Sequence, residues 1–222
     1  MRDALTMDYA LTVPALLRRA RAHFRTKRIT SRLPDGTLTR TSYDALLTRA
    51  GRLAAALRRL GVEDGEPVAT LCWNHDRHLE AYYAIPAMGA VLHPLNLRLS
   101  AAELAHVVRD AGDRVLIVDA ELVPLALGFL PGSAITTVIV VGPCPAAPPA
   151  APPAAPPGAH DFDALVAAEA EPLDLGAVEL AETRAAVRIE ERNGETRAVG
   201  LTADLARHQA VLHAEVRGVY VP

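Results

Sequence analysis

His75 and His78 stand three residues apart with Glu80 just beyond, and imidazole and carboxylate donors on one helical face are the kind of set that seats a metal ion. The same residues also suit the polar entrance of a helix, and that is how they are read. His208 and His213 are five apart and share a helical face poorly. Ser42, Ser100 and Ser133 lack the strand–turn–helix context of a nucleophile elbow, and Ser100 reads as the cap of the helix that follows it. Asp113 and Asp119 bracket an apolar strand, so acid–base work by the pair would need both on one side of a cleft. Cys72, in an apolar strand, and Cys144, in a proline tract, form no disulfide framework and have no metal-site spacing. A reducing cytoplasm is the expected compartment.

The elements that must position these groups follow from apolar periodicity. The 222 residues are half apolar with a net charge of −3, enough for one substantial core and no reason to expect nucleic acid or an acidic membrane as partner. Val68–Cys72, Val91–Pro94 and Val115–Val118 are predominantly apolar on consecutive positions, with Thr70 and His93 as the polar exceptions, the pattern of parallel strands covered on both faces. Helices are expected over 78–88 and 101–111 between them, which makes the chain a layered α/β unit with a largely parallel sheet flanked by helices. Ile29–Arg40 alternates around Pro34-Asp35-Gly36 and predicts a β-hairpin near the start. Thr41 and Asp44 read as a capping box for a helix whose Leu46, Ala50, Leu53, Leu57 and Leu60 recur every three or four residues, with Gly61 ending it. Leu11–Phe24 predicts an amphipathic helix capped by Thr12, with Leu16, Leu17, Ala20 and Phe24 on one side. Its Arg18, Arg19, Arg21 and Arg25 suit a membrane-surface helix but are read as the solvated face of a helix packed on the domain edge. No apolar run is long enough to cross a bilayer, and Asp3, Asp8 and Tyr9 stand where a signal peptide would be basic and then apolar.

The run from Trp73, W-N-H-D-R-H-L-E-A-Y-Y-A-I-P-A-M-G-A-V-L-H-P-L-N-L-R-L, followed by a helix and D-R-V-L-I-V-D, resembles the amino-terminal subdomain of the adenylate-forming ligases, and most closely the medium- and long-chain fatty-acyl-CoA synthetases. The resemblance extends over several elements with few gaps; Leu97 replaces a proline found in many relatives. It implies enzymes that activate a carboxylate with ATP and magnesium and pass the acyl group to coenzyme A.

Beyond Asp119 the sequence is less distinctive. A short helix is expected over 121–129, a strand over 135–141 and a helix over 161–170, on either side of the proline- and alanine-rich 142–158. That tract can neither pair as a strand nor propagate a helix, and is read as an extended linker. The domain map is thus an α/β subdomain at 1–141, the linker at 142–158, and a continuation of the subdomain at 159–222.

The resemblance places the ligases' phosphate loop after Ala185-Ala186-Val187. Gly194 then takes the place of a loop glycine, Arg197 of the lysine and Thr202 of a following threonine, with Asn193 and Thr196 between them. Glu190, Glu191 and Glu195 would meet the triphosphate with a repulsion of roughly 1 to 4 kcal/mol each. Asn193-Gly194 is by itself a strong hairpin signal, and a charged turn between two strands is the preferred reading. The ligases' acyl pocket, magnesium-binding acids and catalytic lysine are expected further along than Pro222. Three readings follow: a ligase homologue that is non-catalytic alone, one part of a split acyl-CoA ligase completed by a separately encoded chain, and a nucleotide- or acyl-binding module. The expected partner is a second copy of the chain or a complementing ligase chain. No catalytic residue, metal or cofactor is assigned to the chain alone.

Overall fold

A computed structural model describes residues 10–33, 36–142, 158–190 and 196–200, with the backbone alone for 189–190 and 196–200. The chain enters through α1 (Val13–Phe24), whose Thr12 side chain accepts from the Ala15 N–H. The hairpin follows as β1 (Arg28–Arg32) and β2 (Leu38–Ser42), antiparallel with Ile29 opposite Thr41. α2 (Tyr43–Arg59) begins one residue later than the sequence suggests. The hairpin ladder runs through Thr41 to its last pair at Ser42, and Ser42 is the cap, accepting from the Ala45 N–H at 3.2 Å. Gly61, at φ 86°, turns the chain out of the helix, a conformation that costs a residue with a Cβ about 1 kcal/mol or more.

The core alternates strand and helix: β3 (Pro67–Leu71), α3 (Asp76–Ala87), β4 (Val91–Pro94), α4 (Ala101–Ala111), β5 (Val115–Asp119), one 3-10 turn at Ala120–Leu122, α5 (Val123–Leu127) and β6 (Thr137–Val141). After the proline tract, whose residues 143–157 lie outside the described residues, β7 (His160–Asp161) and α6 (Phe162–Ala168) rejoin the body, and β8 (Ala185–Glu190) and β9 (Thr196–Gly200) close it. The sheet order is β7-β6-β5-β3-β4-β8-β9, parallel throughout except for the antiparallel β8–β9 pair. The segment after the tract therefore adds strands to both edges of the sheet that the segment before it builds.

Successive strand residues point to opposite faces, and each face has its own apolar layer. Val68, Leu92, Val115, Ile117 and Ile139 pack with α1, α2, α3 and α6. Ala69, Leu71, Leu116, Val118 and Val140 pack under α4 and α5. Fully burying a leucine contributes about 2 kcal/mol, and Leu46, Leu53, Leu57, Leu104 and Leu116 are all fully buried. Consecutive apolar residues in β3 and β5 are the sequence trace of this three-layer arrangement.

Candidate active-site crevice at the carboxyl edge of the sheet

From β3 the chain crosses to β4 on one side, whereas from β5 it passes to β6 on the other. Where successive crossovers diverge, the carboxyl ends of the two strands leave a crevice between them, the usual ligand position in an open α/β sheet. A cleft of about 390 Å³ lies there, reached by Thr39 of the hairpin, by His75, Asp76 and Arg77 at the start of α3, by Asp119, and by Asp163 of α6.

Asp119 ends β5 with its carboxylate buried. It accepts from the Trp73 N–H at 2.7 Å and from His75 Nε2–H at 2.9 Å. His75 Nδ1 accepts the His78 N–H at 3.2 Å, which makes His75 the cap of α3 and places its proton on Nε2. His78 is the next link: Nδ1–H donates to the Trp73 carbonyl at 3.1 Å, and Nε2 accepts the Thr70 hydroxyl at 3.0 Å. Burial lowers the His78 pKa to about 4, against the pull of the Trp73 carbonyl. Both nitrogens of both rings are thus engaged by the protein, with no lone pair left for a metal or a substrate proton. Among the described residues no group of three His, Cys, Asp or Glu is arranged to hold a metal. The reading of His75 and His78 as helix-entrance residues holds, though they are buried and bonded.

A second chain of charge links three helices behind the cleft. Asp76 accepts from Arg77 Nη1 at 2.8 Å and from the Thr39 hydroxyl at 3.5 Å. Arg77 Nε reaches Asp163 at 3.1 Å. Arg49 of α2 bridges Asp163 and Glu80, with Nε 2.6 Å from Glu80 Oε1. Burial raises the Glu80 carboxyl to about 7, outweighing the Arg49 contact, and Glu80 Oε2 has no hydrogen-bond partner. Asp163 also loses water, yet Arg77 and Arg49 hold its carboxyl below the ordinary value.

Asp113 and Asp119 stand at opposite ends of β5 and hold different histidines, Asp113 bonding His93 Nδ1 at 2.7 Å. They share no cleft. The Asp113 carboxyl is raised by burial, which the His93 contact only partly offsets. Of the residues aligned with the phosphate loop, Thr196 and Arg197 fall in β9, paired through the backbone with Glu190 and Ile189. Asn193, Gly194 and Thr202 lie outside the described residues. The Asp119–His75, Arg49–Glu80 and His93–Asp113 contacts were not singled out from the sequence. A signal for the first was present, an acid at the carboxyl end of an apolar strand.

The cleft is ill-suited to ATP. Asp76, Asp119, Glu121 and Asp163 would face a polyphosphate with Arg77 as the cation lining the cleft beside them, a repulsive arrangement. The Asp76 and Asp119 oxygens that magnesium would need are already held by Arg77, Trp73 and His75.

A family model described as AMP-binding enzyme matches residues 17–176. A second model, described as lipopolysaccharide-assembly, LptC-related, matches 177–221, the part that contains β8, β9 and the loop candidates. A long-chain-fatty-acid–CoA ligase of Thermus thermophilus is 50% identical over 119 residues, 54% of this chain and 22% of that protein. A 3-methylmercaptopropionyl-CoA ligase of Ruegeria pomeroyi is 33% identical over 138 residues, 62% of this chain and 26% of its own length. The fold is shared with a long-chain-fatty-acid-CoA ligase from Archaeoglobus fulgidus, at TM-score 0.70 and 18% identity over 96% of this chain and 41% of that one. It is shared also with a fatty acyl CoA synthetase of Mycobacterium tuberculosis, at TM-score 0.66 and 22% identity over 92% and 37%. The chain spans about a quarter of the length of the curated relatives it matches. With the ligase match running across α1–α6 and through the crevice, the chain belongs to the AMP-binding enzyme family.

Proposed function

We propose that this polypeptide is the amino-terminal structural module of a fatty-acyl-CoA ligase and that, by itself, it does not adenylate a carboxylate. The observation that carries the reading is the crevice at the sheet's carboxyl edge. Its two key acids and its histidine are already engaged, Asp119 with His75 and Trp73 and Asp76 with Arg77, and Glu121 is the lining carboxylate outside that network, too little to hold a triphosphate with magnesium. The ligase match supports the same view, because it ends at Gly176, before the acidic stretch from Glu190. Removing even one preorganised charge-stabilising contact typically costs about 3 kcal/mol in the transition state. The role is thus to present a folded platform in fatty-acid metabolism, in the cytoplasm, to groups supplied by other polypeptide.

The experiment is carboxylate-dependent ATP–pyrophosphate exchange with fatty acids of 8 to 18 carbons. The expected result is no exchange above a heat-killed control; exchange by this polypeptide alone would overturn the reading. A second reading, a split ligase, is favoured by the completeness of the two apolar layers around the sheet. It predicts that adding a polypeptide with the remaining ligase elements restores exchange.

A further inference from the structure

Three helices leave an apolar groove that shares no lining residue with the crevice. On α1, Leu16 and Phe24 are 42% and 40% exposed. With Ala20 they recur every four residues and form one stripe along the helix. Leu17 and Leu47 make the floor, and Tyr43 of α2 and Tyr83 of α3 complete a groove of about 510 Å³, within the range of sites that hold small ligands.

Polar character is confined to one end. Lys27, just past α1, is the charged residue lining the groove, and no carboxylate among the described residues lines it. The Lys27 backbone is fixed, its N–H donating to the Phe24 carbonyl at 2.8 Å and its carbonyl accepting from Tyr43 at 3.1 Å. Its ammonium stays exposed at the mouth. The nearest acid on α2, Asp44, is paired with Arg25 at 3.6 Å. Arg19 adds a second cation 5.9 Å from the Phe24 ring centre. An apolar trough with cations at one end and no carboxylate among its described lining residues is complementary to a molecule with one aliphatic chain and one anionic head.

We propose that the α1–α2–α3 groove binds a free single-chain anionic amphiphile, with the chain along Leu16, Ala20 and Phe24 and the head at Lys27 beside the Tyr43 hydroxyl. The site is separate from the crevice and does not require the adenylation reading. It accounts for two large apolar side chains left open on one helix stripe, and for the amphipathic α1 with its basic flank.

The probe is dodecanoate, titrated below its micellar concentration into the whole 222-residue polypeptide and followed by calorimetry. The expected result is saturable binding of one molecule per chain. Lys27→Glu should weaken it at least tenfold and Lys27→Arg less than threefold. Leu16→Glu, at an exposed position that spares the core, should abolish it. Dodecyl maltoside, which has the same chain and a neutral head, should bind at least tenfold more weakly than dodecanoate. Circular dichroism and the urea midpoint of each variant must match the parent, and Leu38→Glu, exposed on the hairpin, serves as a surface control that keeps full binding. The proposal is overturned by absence of saturable binding, by equal binding of the neutral amphiphile, or by insensitivity to Lys27→Glu. It is overturned as well if binding occurs only to acidic phospholipid vesicles. Light scattering that shows a dimer broken by Leu16→Glu but untouched by dodecanoate would mean that a second copy covers the groove, and would also overturn it.

Discussion

His75 and Asp119, 44 residues apart in sequence, meet at 2.9 Å and lock the start of α3 onto the end of β5. One carboxylate serves the His75 ring and the Trp73 backbone, and the same ring caps α3. Asp119→Ala leaves the partly buried Trp73 N–H and the buried His75 imidazole without their acceptor. We expect a loss of about 3 kcal/mol or more in urea unfolding. His75→Ala, which removes the cap as well as one donor, should cost about 1 to 3 kcal/mol. Unchanged midpoints in both variants would show that the network carries no stability.

Two buried groups make opposite contributions to stability as pH changes. Burial brings the Glu80 carboxyl to about 7 in the fold against an ordinary 4.5, so the folded state binds the extra proton and stability falls as pH rises from 4.5 to 7. His78 titrates at about 4 against 6.5, so the unfolded state binds the extra proton and stability falls as pH drops from 6.5 to 4. Each amounts to on the order of 3 kcal/mol. Between about pH 4.5 and 6.5 they offset each other. Unfolding midpoints of Glu80→Gln should therefore climb with pH across that window, and those of His78→Asn should decline. Parallel profiles for parent and both variants would refute the assignment.

Gly51 sits inside α2, where alanine ordinarily favours a helix by roughly 1 kcal/mol. Here a Cβ would stand 2.5 Å from the Leu173 carbonyl oxygen and 3.0 Å from the Pro172 side chain. The Leu173 N–H also donates to the Gly51 carbonyl at 3.0 Å, so the two backbones are held together. Gly51→Ala should destabilise by about 1 to 3 kcal/mol; a rise in the thermal midpoint would count against this close approach.

Cys72 is buried, its thiol donating to the Ile117 carbonyl at 3.6 Å. Burial, with the Asp119 charge adding to it, raises its pKa well above the ordinary value. In a Cys144→Ser variant, where Cys72 is the remaining thiol, Ellman's reagent at pH 8 should react at the rate of global unfolding and rapidly in urea. Fast reaction in the native state would contradict the burial.

What the sequence determined by itself was local and periodic. The largely apolar 68–71 and the wholly apolar 115–118 specified buried parallel strands, the four-and-three spacing of Leu46 to Leu57 specified α2, and Thr12 and Ser100 specified caps that the structure keeps. These signals sit within one element, where hydrogen bonding and apolar periodicity act over a few residues. The run from Trp73 to Asp119 likewise carried the ligase resemblance. Ser42 displaced Thr41 as a cap because ladder pairing with β1 set the end of β2, a contact from elsewhere in the chain. Tertiary structure alone decided that Asp119 takes His75, that Arg49 takes Glu80 across 31 residues, and that Asp113 takes His93. Those partners depend on β5 and β4 flanking β3 on opposite sides and on α2 crossing α3. Strand order is fixed by the competition of whole faces for burial, which no spacing within a single element records.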